Sequence, residues 1–336
     1  MERFSALKPG LFVILTIAAC SFGLAGIGIV QHYGLGSLTL AILFGTLLGN
    51  ASPSLGTASF RPGLQFVQRH GLRAGVALYG FNLSAQQIVE VGARGVLIDL
   101  LVVISTLALG WFVGRRLLGM DRETVVLASA GSAICGAAAV LATTPMLNQE
   151  EDRVAAKSAV AVATVVLFGT LAMFLYPVIY AWIGSRYFDF GIYIGSTVHE
   201  VAQVVAISGT LGENIEHTAV IAKMIRVLLL VPALLTLGWL LTDKQDENRR
   251  QMPPIPWFAI AFIVLAGVNS LHIVPEALVV QLRLICTLLL TAAMAALGID
   301  TTFLRMRQAG LRPIILGGTL FLHLIFVGGL FNWLLA

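Results

Sequence analysis

An all-α polytopic membrane protein of about eleven transmembrane segments, with inverted repeats and discontinuous helices at the midplane, is the fold class this sequence predicts. Three observations carry that expectation. The 336 residues are 58% hydrophobic and only 11% charged, against roughly 25% charged in a soluble domain. Residues 11–30 are an uncharged run of about the 20 residues a spanning helix needs. Two further apolar stretches are interrupted by glycines and small polar residues, the pattern of broken helices in transporters.

The spans expected in order are 11–30, 36–50, 63–83, 95–114, 124–147, 156–183, 190–211, 217–241, 255–272, 278–299 and 313–335. The first lacks a small-residue cleavage pattern and is followed by more spans, so it reads as a helix rather than a removed signal. The second is short, and the third and tenth turn polar early, as interrupted or tilted helices do. The longest soluble stretch, 242–256, is charged and then proline-rich, and reads as a cytoplasmic linker.

Charge orients the chain. With the N-terminus inside, the cytoplasmic face collects Arg3, Lys8, Arg61, Arg69, Arg73, Arg115, Arg116, Arg122, Arg186, Lys244, Arg249, Arg250, Arg305, Arg307 and Arg312. The opposite face receives Arg94, Arg153, Lys157 and Arg283. This asymmetry follows the positive-inside rule and predicts a multi-pass inner-membrane protein, N-terminus cytoplasmic and C-terminus periplasmic. It also explains the net charge of +4 without nucleic acid as a partner.

A repeat is legible at an offset of 218 residues. Gly49 aligns with Gly267, Ser52 with Ser270, Ala74 with Ala292, Gly80 with Gly298, Gly92 with Gly310 and Arg94 with Arg312. The chain therefore reads as one transporter unit, with related segments near 36–117 and 254–335 flanking a central broken-helix region near 122–241. Copies seven spans apart point oppositely, the inverted plan of secondary transporters.

The chemistry concentrates in the centre. Residues 191–207 are apolar yet carry His199, Glu200 and Gln203, and ionisable groups at bilayer depth face a cavity or a partner. Upstream, Gly131-Ser132 repeats the skeleton of Gly195-Ser196, with Cys135-Gly136 in the place of His199-Glu200. His199 and Glu200 diverge by about 100° on a helix, while Gln203 can share a face with either. His199 or Glu200 is the expected carrier of a coupling proton, with Asp99 a further proton or ion ligand. The competing reading is a satisfied polar cluster that holds helices together.

Lys223 and Arg226 share one face of an apolar span. They read as an oxyanion-binding pair, against snorkelling to the interface or pairing with Glu200 or Glu216. Backbone N–H groups at Gly131, Ser132, Cys135 and Gly136 would assist as half-helix ends, against close packing by small residues. The two glycine-serine segments are separated by one clear span and would point the same way, unless one is a re-entrant hairpin. Cys20, Cys135 and Cys286 show no metal-ligand spacing, so no metal is expected. With no phosphate-binding loop and no His-Glu-x-x-His, neither a nucleotide cofactor nor an enzymatic activity is expected.

The motifs Gly131-Ser132-Ala133-Ile134-Cys135-Gly136, Gly195-Ser196-Thr197-Val198-His199-Glu200-Val201-Ala202-Gln203-Val204 and Lys223-Met224-Ile225-Arg226 resemble the sulfate exporter family of bacterial inner-membrane proteins. The repeated elements Leu78-Tyr79-Gly80-Phe81-Asn82-Leu83-Ser84 and Ala296-Leu297-Gly298-Ile299-Asp300 extend the likeness over essentially the whole chain. That family is grouped with cation:proton antiporters and anion transporters. The resemblance implies a scaffold domain, a core domain with discontinuous helices, and a homodimer in the lipid. The function expected is export of a small anion (sulfate, sulfite or a sulfonate) coupled to a proton or to Na⁺. The alternatives are a cation:proton antiporter and, last, a non-transporting sensor or scaffold.

Overall fold

The computed structural model describes residues 2–26, 36–56, 59–144, 147, 151–241, 257–302 and 310–336. The linker at 242–256 and the basic Arg305 and Arg307 lie outside them. Every regular element among the described residues is helical. Among the described residues, six helices are long and apolar enough to cross a membrane: Ala6–Ala25, Val91–Leu117, Lys157–Ile183, Glu213–Leu237, Glu276–Asp300 and Leu311–Leu334. Their outward faces carry large apolar side chains such as Phe12, Trp182 and Phe326, which suits contact with lipid rather than water. Where eleven spans were expected, the described residues hold six full-length helices, with shorter or broken ones beside them.

The chain divides into two compact units. The first comprises residues 1–90, 205–217 and 257–304. It contains α1 (Glu2–Ala25) and α2 (Ser37–Ala51), then α3 (Arg61–Phe66), which a π-turn joins to α4 (Leu72–Leu78). Helices α13 (Trp257–Ser270) and α14 (Glu276–Asp300) complete it. Small residues let its helices touch backbone to backbone. A Cβ on Gly298 would strike the Ile42 carbonyl, and one on Gly80 would strike the Phe262 carbonyl. Asn50 Nδ2 donates to the Thr301 carbonyl at 3.0 Å, and Asn269 Nδ2 to the Leu83 carbonyl at 3.0 Å.

The second unit comprises residues 91–204, 218–256 and 305–336. It holds most of α5 (Ala85–Trp111), the pair α6 (Arg122–Ala133) and α7 (Ala137–Thr143), and the long α8 (Glu151–Ile183). Next come α9 (Phe190–Thr197), α10 (Val201–Ser208), α11 (Glu213–Leu228), α12 (Leu230–Leu241) and, last, α15 (Leu311–Leu334). The division between the units falls within α10 and α11.

Helices α5 and α15 run antiparallel. Val102 lies by Gly328, Ser105 hydrogen-bonds His323 at 3.0 Å, and Gly110 lies by Leu320. The sequence expectation that 124–147 crosses the membrane is corrected here. Gly131 of α6 packs against Val140 of α7, a contact that a straight helix rising 1.5 Å per residue cannot make. The chain turns back at Ile134–Gly136 and leaves where it came in. Lys157, near the start of α8, accordingly reaches Asp121, ahead of α6, at 2.9 Å and Glu123 at 3.0 Å. The pair is a helical hairpin. Gly136 makes the reversal possible with φ of 73°, a conformation costly for any residue with a Cβ.

Candidate functional site

Two helix interruptions meet in the second unit. One is the tip of the α6–α7 hairpin. The other is the non-helical stretch from Val198 to Glu200, between α9 and α10. Asp189 starts α9 by accepting from the N–H groups of Gly191 at 2.8 Å and Ile192 at 3.1 Å. Tyr176 of α8 then stacks on Tyr193 and donates to Thr197 Oγ1 at 2.8 Å. The helix ends at Val198, whose backbone is extended. Each interruption leaves helix-terminal carbonyls without an intrahelical donor.

Lys223 and Arg226 take up those carbonyls. Lys223 Nζ donates to Ile134 O at 2.9 Å and to Val198 O at 2.6 Å. Arg226 Nε donates to Ala133 O at 2.6 Å and Nη2 to Ser132 O at 2.7 Å. Its Nη1 reaches Ser196 O at 2.7 Å and Val198 O at 3.3 Å. Both side chains are fully buried. Cations at helix C-termini are favoured by the dipole, and here one pair serves two termini at once.

Glu200 sits at the start of the outgoing helices. Its Oε1 accepts from the Ala137 N–H at 3.1 Å, and its own N–H donates to Gln203 Oε1 at 3.2 Å. The Glu200 side chain packs over Gly136, where a Cβ would collide with it. Ser196 Oγ accepts from Asn332 Nδ2 at 3.1 Å. Several buried atoms have no protein partner: Glu200 Oε2, Gln203 Nε2, both ring nitrogens of His199 and both carboxylate oxygens of Asp99. His199 faces Phe321, with ring centroids 6.2 Å apart.

Ser132, Gly136, Ser196, Glu200, Gln203, Lys223 and Arg226 are therefore gathered around the two interruptions, with buried Cys135 in the turn between α6 and α7. Gly131 and Gly195 serve as close-packing positions, the first against Val140 and Val165, the second against the Ala219 carbonyl and Ala222. The basic pair neither snorkels nor bonds to Glu200 or Glu216. Glu216 instead accepts from the Tyr79 hydroxyl, within the first unit. Sequence reasoning passed over Asn332, although a lone amide in an apolar final helix is itself a signal. Among the described residues no cluster could hold a metal ion.

These features define a multi-pass membrane protein whose broken helices meet on buried charge. The family model described as "Conserved hypothetical protein 698" matches residues 9–317, so the chain belongs to that family. A UPF0324 membrane protein of Bordetella pertussis is 47% identical over 325 residues, covering 95% of this chain and 92% of the relative. The UPF0324 inner membrane protein YeiH of Escherichia coli K12 is 44% identical over 332 residues, covering 97% and 94%. A UPF0324 membrane protein of Photorhabdus laumondii is 44% identical over 337 residues, covering 97% and 92%. No solved structure matches.

Proposed function

We propose that the second unit is the core of a proton-coupled secondary transporter for a small oxyanion of the sulfate, sulfite or sulfonate class. The observation that carries this reading is the meeting of two interrupted helices on a buried Lys–Arg pair, beside ionisable groups without protein partners. Lys223 and Arg226 direct their donors at neutral carbonyls, so no bonded carboxylate cancels their charge. With Asp99 and Glu200 ionised, these four residues sum to neutrality. With both protonated they carry two positive charges and suit a dianion, because a buried charge needs a counter-charge. Proton and anion binding are thereby linked, and each raises the affinity for the other.

Repeated contacts support an inverted-repeat transporter plan. Asn50 and Asn269, one per copy, each cap the carbonyl of a helix end, at Thr301 and Leu83. Gly80 and Gly298, 218 residues apart, each press on a carbonyl of the neighbouring helix. Ser105 and His323 are also 218 residues apart and bond to each other, as residues on a two-fold axis would. Val102 by Gly328 is matched by Leu320 by Gly110, the same contact with the copies exchanged. In transporters built from such repeats, the substrate site lies near the midplane.

The test is flux in proteoliposomes that contain a pH-sensitive dye. Sulfite, sulfate and a sulfonate are added singly to wild type and to Glu200→Gln. A pH change driven by one anion and lost in the variant is expected. A second reading, cation:proton antiport, is favoured by the free acceptor oxygens of Asp99 and Glu200. A response to Na⁺ or K⁺ with none to anions would replace the first reading with it.

A further inference from the structure

One stripe of α5 joins Asp99, which the scheme above uses, to buried polar groups that it does not. Asp99 and Thr106 are seven residues apart and therefore lie on one face, roughly 10 Å along the helix. Gly110, one turn beyond Thr106, faces Ser129 of α6, whose hydroxyl occupies the place a Cβ on Gly110 would need. Asp99 and Thr106 are fully buried, and Ser129 is 3% exposed. Neither oxygen of Asp99, nor Thr106 Oγ1, nor Ser129 Oγ has a protein partner.

Many helical hydroxyls elsewhere in the chain behave differently, although those of Thr46 and Thr170 are also without a partner. Thr143, Thr144, Thr164 and Thr319 each return the hydroxyl to the carbonyl four residues back. At the equivalent position for Thr106, the Val102 carbonyl accepts from Ser105 instead, at 3.2 Å. Buried polar groups without protein partners are costly unless water or an ion serves them. A row of them one to two turns apart is suited to a chain of waters, each needing two or more polar partners. Beyond Ser129 the row stops at an apolar cluster of Val113, Met120, Val125, Ala128, Leu316 and Leu320. Hydrophobic constrictions of this kind gate pores by excluding water.

We infer that Asp99, Thr106 and Ser129 mark a hydrated proton file along α5, closed at its α6 end by this apolar plug. The file delivers protons to Asp99 and so supplies the coupling step. This rests on the reading of the second unit as a transport core.

The test replaces Cys20, Cys135 and Cys286 and introduces Thr106→Cys or Ser129→Cys in liposomes. A small, charged, water-borne thiol reagent is applied, with Asp121→Cys as the exposed reference. Adduct mass on both buried positions is expected. A complete reaction at the reference with neither buried position modified would overturn the file. Separately, Val125→Asn and Leu316→Asn are each expected to leak protons down an imposed gradient, and Asp99→Asn in either background to abolish the leak. A leak indifferent to Asp99→Asn would also overturn it. Labelling and leak need no substrate, so they can fail while anion-driven pH changes persist, and the reverse.

Discussion

Arg226 holds the carbonyls of Ser132, Ala133 and Ser196. The N–H groups four residues on, which a continuous helix would offer them, turn elsewhere: Gly136 to Gly131, Ala137 to Glu200 and Glu200 to Gln203. Truncation would leave all three buried and unserved, at about 1–3 kcal/mol each, set against a total stability of about 5–15 kcal/mol. Arg226→Ala is therefore expected to lower the melting temperature in detergent markedly, and Arg226→Lys to fall between, since a compact ammonium lacks the planar fork by which the guanidinium serves Ser132, Ala133 and Ser196 at once. A variant as stable as wild type would dismiss the clamp. Gly136→Ala forces a positive φ on a residue with a Cβ and meets Glu200. It is expected to cost at least about 1 kcal/mol, read by the same melt. The sequence shows that Lys223 and Arg226 share a face, because helical spacing is written in residue numbers. It cannot show that their partners are carbonyls, because every residue has one.

Among elements, the α6–α7 hairpin was half legible. Its glycines marked an interruption, but residues 124–147 are as long and apolar as a spanning helix, so hydropathy alone cannot separate the two. What decides is the pairing of Lys157 with Asp121, a contact between residues far apart in sequence. Asp121 caps α6 through the Thr124 N–H at 3.0 Å. Partial burial works to raise its carboxyl, but the Thr124 N–H, Lys157 and the Thr124 hydroxyl outweigh that and bring it down to about 2. A depressed carboxylate contributes stability above its unfolded pKa of about 3.9 and loses it as pH falls toward 2. The gap in melting temperature between wild type and Asp121→Asn should therefore be full above about pH 4 and shrink below it. A gap that is constant across that window would refute the cap.

For the molecule as a whole, the hairpin revises the expected topology. Arg153 and Lys157 move to the face of Arg115, Arg116 and Arg122, and Arg186, which follows the membrane-long helix α8, moves to the opposite one. In a background without native cysteines, Asp121→Cys and Lys157→Cys should react with an impermeant thiol reagent from the same side of the membrane, and Arg186→Cys from the other. Labelling of Asp121→Cys and Lys157→Cys from opposite sides would restore a spanning segment. The helical class was legible throughout, since composition carries it. The hairpin was not, since it depends on which ends meet.

The shared clamp on the two tips also constrains how the protein is made. Ser132, Ala133 and Ile134 emerge from the ribosome first, Ser196 and Val198 later, and Lys223 and Arg226 last of all. Until that final helix arrives, the carbonyls of both tips have no lysine or arginine to receive. They must stay hydrated, or be shielded by the insertion machinery, because bare carbonyls in hydrocarbon cost several kcal/mol each. Seating of the hairpin is thus a late event that waits on α11. A chain truncated before Lys223 should insert its early helices yet leave the α6–α7 hairpin open to protease, and a chain extended past Arg226 should protect it.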